Sequence, residues 1–141
     1  MGFLKKLHWF EWFIIVSILG IHAYVALSGA HNFPIRWFTR DDAYYYFKVA
    51  QNISEGHGST FDGINLTNGY HPLWMLVCVP IFALARFDLI LPLRVLVVVM
   101  AVLDVLTSIF FFRLLRKVFD DWVAILLVGF WTYTINVPVS Y

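Results

Sequence analysis

"PLWMLVCVPIFALA", residues 72–85, sets the topology of the whole chain. A helix needs about 20 apolar residues to cross a bilayer, and this run has 14. Pro80 interrupts it as well. Such a segment suits a helix lying in the membrane surface or re-entering it. The positive charges further along point the same way. If 72–85 crossed, Arg113, Arg116 and Lys117 would fall outside the cell, against the tendency of basic residues to stay in the cytoplasm. If it lies on the outer surface, that cluster returns to the side of Lys5 and Lys6.

The flanking sequence then reads as three spans. The first is 10–30, directed outward, with Lys5 and Lys6 before it and the N-terminus in the cytoplasm. His8, Trp9 and Trp12 suit its inner interface, and Tyr24 and Trp37 its outer one. A secretory signal is the rival reading, since Ser28 and Ala30 have cleavage-like spacing, but the apolar run exceeds a usual signal core. The second span is 93–113, inward, and the third is 122–141, outward. Residues 31–91 form one extracytoplasmic loop with surface helices at 41–55 and 72–85. The expected fold is all-α and integral to the membrane, with three transmembrane helices, two amphipathic juxtamembrane helices and a single module over 1–141.

Composition agrees. Hydrophobic residues make up 61% of the 141 positions and charged ones 13%, about half the charged content of a soluble domain. A formal net charge of +1 without a basic stripe argues against nucleic acid as a partner. Cys78 is the only cysteine, which excludes an internal disulfide and fits a small packing residue.

Upstream of the short apolar run stands "DDAYYYFKVAQNISEGHG", residues 41–58. Ala43, Tyr46, Phe47, Ala50 and Ile53 share one face at helical spacing, and Lys48, Gln51, Asn52 and Glu55 the other. Thr39 and Asp42 have the spacing of a capping box, and Gly56 and Gly58 supply a stop. Asp41 and Asp42 occupy the first turn, where the helix dipole favours ionised carboxylates. Two adjacent carboxylates can also hold a divalent cation, or one can accept a proton. On spacing alone, plain capping by solvated acids comes first. "STFDGINLTNGYHPLW", residues 59–74, is turn-rich, and Asp62 reads as a turn residue. His71 can serve in acid–base or phosphate contacts, although a lone histidine is more often an ordinary hydrogen bonder.

Asp104 lies in the middle of the second span. An acid at that depth marks either a polar lock between helices or a proton or ion path. His22 and Asn136 are its candidate partners, and the lack of a second acid favours the lock. Three spans alone make a poor channel. Phe110, Phe111 and Phe112 read as packing or lipid-facing bulk, and Asn52 and Asn65 match glycosylation sequons.

The acidic pair, the tyrosine-rich helix, "GHGSTFDGINLTNGYHPLW" and the membrane plan together resemble the N-terminal part of bacterial integral-membrane glycosyltransferases of the GT-C superfamily, the protein mannosyltransferase-like and ArnT-like group. The resemblance is strongest over 41–74. It implies residence in the bacterial inner (cytoplasmic) membrane and transfer of a sugar from a polyprenyl-phosphate donor at the extracytoplasmic face. It also implies Asp41 as the catalytic base and Asp42 as its neighbour, the two together holding a divalent cation such as Mg or Mn. His71, Arg40, Tyr44, Tyr45 and Lys48 are the implied substrate contacts, with lipid-linked sugar and membrane lipids as partners. Members of that superfamily carry many more spans, so 141 residues are expected to be part of a larger enzyme. The alternative is a non-catalytic subunit among other membrane chains, in a respiratory or photosynthetic complex.

Overall fold

The computed structural model describes residues 7–30, 32–33, 41–85, 87–88 and 90–136. Among them five α-helices occur: α1 (Trp9–Ala26), α2 (Asp41–Ser54), α3 (Pro72–Leu84), α4 (Leu91–Leu115) and α5 (Asp121–Trp131). A π-helical segment, Thr132–Asn136, extends α5. The described residues contain no strand, only one isolated bridge between Thr60 and Leu66. The chain divides into two compact units, the first Met1–Arg36 with Val97–Tyr141 and the second Trp37–Leu96.

Among the described residues two helices are long and apolar enough to cross a membrane. They are α1, with 18 residues and a mean hydropathy of 1.6, and α4, with 25 residues and 2.7. At 1.5 Å per residue they reach about 27 and 37 Å, against a hydrocarbon layer of about 30 Å. The first span ends earlier than 30, because Leu27 caps α1 and Ser28 returns its hydroxyl to the Val25 carbonyl at 2.7 Å. The segment expected to span 122–141 is an 11-residue helix followed by the π turn, and 137–141 lie outside the described residues. Lys5, Lys6, Trp37, Thr39 and Arg40 lie outside them too.

In the first unit, Phe10, Ile14 and Ile18 recur every fourth residue and pack with Ala101, Phe112, Ala124 and Val128. The Phe10 and Phe112 rings meet edge to face at 5.0 Å. The opposite surfaces are apolar as well, with Val16 67% and Leu126 70% exposed. Helices apolar on all sides are those buried within a larger protein core or within a membrane.

Polar pairs stitch this unit together. At one end His8 caps α1: its Nδ1 accepts from Phe10 N at 3.3 Å, and Glu11 reaches back to His8 N at 2.7 Å. Glu11, 3% exposed, also accepts from Nε of Arg113. Arg116 holds Asp121 through Nε at 2.6 Å and Nη2 at 3.2 Å. Further along, Ser108 meets Thr132 at 3.0 Å, and Ser17 meets the Tyr133 hydroxyl.

In the second unit α2 packs on α3. Phe47, Ala50, Met75, Cys78, Phe82 and Leu96 form the core, and burial pushes the Cys78 thiol up to about 12. Met75, Cys78 and Phe82 lie on one stripe of α3, while Leu73 and Leu84 on its other sides are 81% and 86% exposed. Pro72 opens α3 at a position where its missing N–H is harmless. The end of α2 follows the sequence expectation. Gly56 takes φ 86°, Gly56 N bonds Ile53 O at 3.2 Å, and His57 N bonds Asn52 O at 2.8 Å. These two bonds close a Schellman motif.

Asn52 departs from expectation. It lies on the face whose spacing predicts polar exposure, yet it is buried, and its Nδ2 donates to the carbonyls of Thr60 and Phe61, each at 3.0 Å. The loop folds back over the helix, so the amide satisfies backbone groups that would otherwise lack donors.

Candidate functional site

Residues 41–71 build the site from one helix and the loop that returns along it. Asp41 and Asp42 open α2, where backbone N–H groups lack helical partners and favour negative charge. Positions 44, 45 and 48 follow 41 at intervals of three, four and seven, the register of one helical stripe. Tyr44, Tyr45 and Lys48 on that stripe, with Gln51, Phe61, Phe82 and Leu93, line an open cavity of about 440 Å³. Its wall is therefore mostly aromatic and aliphatic, with one ammonium and one amide.

Each lining group has its own support. The Tyr45 ring stacks on Phe61 at 5.2 Å, and its hydroxyl bonds the Thr67 hydroxyl. Tyr45 is thus a strut between helix and loop. Tyr44 is half-exposed, edge-on to Phe47 at 5.9 Å. Lys48 is exposed, and its Nζ donates to Gln51 Oε1 at 3.4 Å.

The loop is ordered by Asp62. Its carboxylate accepts from Asn65 N at 2.8 Å, Ile64 N at 2.9 Å and Asn65 Nδ2 at 2.7 Å, which holds its pKa down to about 2. This is the turn role expected of it. Asp88 does the same before α4, accepting from Ile90 N and Leu91 N, and these bonds lower its pKa. Ser59 pins the far side of the loop through Thr67 O and the Tyr70 hydroxyl.

The cavity thus gathers Tyr44, Tyr45 and Lys48 of the implied substrate contacts. His71 is not in its lining. It stands at the N-cap of α3 without a capping bond, its ring stacked on Tyr46 at 6.2 Å. Arg40 and the side chains of Asp41 and Asp42 lie outside the described residues. Among the described residues no group of three metal ligands occurs. Gln51 and Phe61 belong to the lining and were not singled out from sequence. Gln51 continues the register of Lys48, a signal that was present, whereas Phe61 arrives through loop folding.

Asp104, in the middle of α4, has a partner. His22 Nε2 stands 3.6 Å from Asp104 Oδ2, with side-chain exposures of 6% and 17%. Asn136, the other candidate, has a side chain outside the described set. The pair of Glu11 with Arg113 joins positions 102 apart that no local pattern connects, and that of Arg116 with Asp121 closes the short turn between α4 and α5; neither is among the sequence expectations. No family model, curated protein or solved structure matches the chain.

Proposed function

We propose that this chain is a membrane-embedded glycosyltransferase module of the GT-C type, with its N-terminus in the cytoplasm and a third span over 122–141. Residues 31–91 stand at the extracytoplasmic face of a bacterial inner membrane. The observation that carries this reading is the α2 stripe. It begins at an acid and continues as Tyr44, Tyr45 and Lys48 along an apolar cavity. Such a combination suits a substrate with a greasy tail and an anionic head. The exposed apolar side of α3 supports a surface-lying helix that meets lipid.

In this reading Asp41 takes the proton of an acceptor hydroxyl while the acceptor oxygen attacks the anomeric carbon. The bond from that carbon to the donor phosphate breaks, and polyprenyl phosphate leaves. Lys48, Arg40 and His71 balance its charge, and Asp42 orients the acceptor. A divalent cation held by Asp41, Asp42 and the phosphate would neutralise the leaving group further. Asp41→Asn in the intact enzyme is expected to lower sugar transfer from polyprenyl-phosphate donors by about 10²–10⁴-fold. Undiminished transfer removes Asp41 from the chemistry.

A second reading rests on the exposure of Ile64 and Leu66, 83% each, at the tip of the returning loop. Such residues suit contact with another chain, as in a non-catalytic subunit of a respiratory or photosynthetic assembly. Co-purification with unrelated membrane chains in fixed ratio, with Asp41→Ala tolerated, is the outcome that selects it.

A further inference from the structure

A groove runs along α4 toward its basic end. Thr107, Phe110, Phe111 and Leu114 stand at intervals of three, four and seven, one stripe of the helix. With Trp131 from α5 they line an open groove of about 340 Å³. Phe111 and Trp131 meet edge to face at 5.4 Å and join the two helices there. Phe110 and Leu114 are more than half exposed. The Thr107 hydroxyl donates to the Leu103 carbonyl at 2.7 Å, so its hydrogen is already used. The rest of the lining is aromatic or aliphatic.

The same stripe continues to Lys117, three positions past Leu114. Arg116 N bonds Phe112 O at 3.0 Å and Lys117 N bonds Leu114 O at 3.1 Å, so the chain keeps its helical course that far. Thr107 and Lys117 are then about 15 Å apart along the axis. Lys117 is exposed, and among the described residues it enters no ion pair. The charges around it are committed elsewhere. Arg113 bonds Glu11, and Asp121 holds Arg116 and faces His8. Asp120 caps α5 by accepting from Val123 N at 2.9 Å. An apolar slot that ends at one uncompensated ammonium matches a molecule with a hydrocarbon chain and an anionic head. A lysine at that position reaches the headgroup layer while its stem stays against the apolar surface.

We propose that this groove seats one acyl chain of an anionic glycerophospholipid, and that Lys117 meets the lipid phosphate. The proposal rests on the membrane part of the proposed function and not on sugar transfer. In that topology the basic end of α4 is cytoplasmic, whereas the cavity along α2 is on the opposite side. The lipid here is therefore a resident of the inner leaflet, distinct from a sugar donor.

The test is native mass spectrometry of the full chain, released from detergent after mixing with equal amounts of two lipids. Palmitoyl-oleoyl phosphatidylglycerol and phosphatidylcholine have the same chains and differ in net charge. The expected result is a one-to-one lipid adduct in which the anionic lipid exceeds the zwitterionic one by about five-fold, the effect of one cation at the surface. In Lys117→Gln the excess is expected to vanish while lipid is still retained. In Thr107→Trp, which fills the groove, both adducts are expected to fall severalfold. Equal retention of the two lipids by the unsubstituted chain overturns the proposal. So does an excess that survives Lys117→Gln, or a dimer of chains that carries no lipid. Equal retention leaves the membrane reading standing, whereas a chain that takes up neither lipid sinks both. The Lys117 position is exposed, so its substitution does not disturb the core and the comparison stands whether or not Thr107→Trp folds.

Discussion

Asn52 shows how one side chain organises the region that bears the candidate site. Its amide reaches the Thr60 and Phe61 carbonyls from inside the unit, where water cannot replace it. Asn52→Ala leaves two carbonyls short of donors and is expected to destabilise the loop by about 1–3 kcal/mol. Faster proteolysis between 55 and 71, with α1 and α4 unaffected, is the measurement. Asp62 offers a second check. Three hydrogen bonds favour its ionised form, so its folded pKa, about 2, lies below the unfolded value of 3.8. The unfolded chain binds the proton first as pH falls. The contribution of Asp62 to the turn is thus full above about pH 4 and is lost as pH drops through about 2. The carboxyl carbon of Asp62 is expected to titrate with a midpoint near 2. A midpoint near 4 would mean that the turn is open.

The helices were legible in the sequence to different degrees. The amphipathic stripe and paired glycines of α2 predicted its extent to within one residue, because propensity and stop signal coincide. The proline-opened α3 was legible from Pro72, and α4 from a long apolar run without breakers. What lay hidden was polar pairing across distance. Glu11 looks like an ordinary capping acid at the front of α1, yet Arg113, 102 positions on, holds it under cover. Likewise Tyr45 looks like one of three equivalent tyrosines until the loop places Phe61 and Thr67 upon it. Replacing either member of the Glu11 pair alone, by Glu11→Leu or Arg113→Leu, strands the other charge. Each is expected to cost on the order of 2 kcal/mol, less than for a fully buried pair because Arg113 is a third exposed. The double replacement is expected to be milder than the sum. Thermal unfolding of the three variants in detergent closes that cycle, and strict additivity would mean that the two residues do not interact.

For the whole chain the proposed membrane topology turns on the side on which each connection lies. If α3 lies on the surface, residues before and after it face the same compartment, and the turn after α4 faces the other. Single cysteines at Glu55 and Phe87 are expected to react with an impermeant reagent added outside the cell, and one at Lys117 only after the membrane is opened. Should Phe87→Cys and Glu55→Cys report opposite sides, α3 threads the bilayer and the surface platform is lost. Two helices long and apolar enough to cross a membrane were legible from length and hydropathy alone. Where the sequence leads one to expect a third, over 122–141, the described residues form an 11-residue helix that passes into a π turn at Thr132, and Thr132 and Tyr133 turn to Ser108 and Ser17.

The native thiol makes that mapping simpler than it first looks. Cys78 is enclosed, and its proton leaves only near pH 12. At neutral pH almost none of it is the reactive anion, and maleimides find no path to the sulfur. The unmodified protein is thus already a silent background, and each introduced probe can be read without first deleting the cysteine that nature placed there.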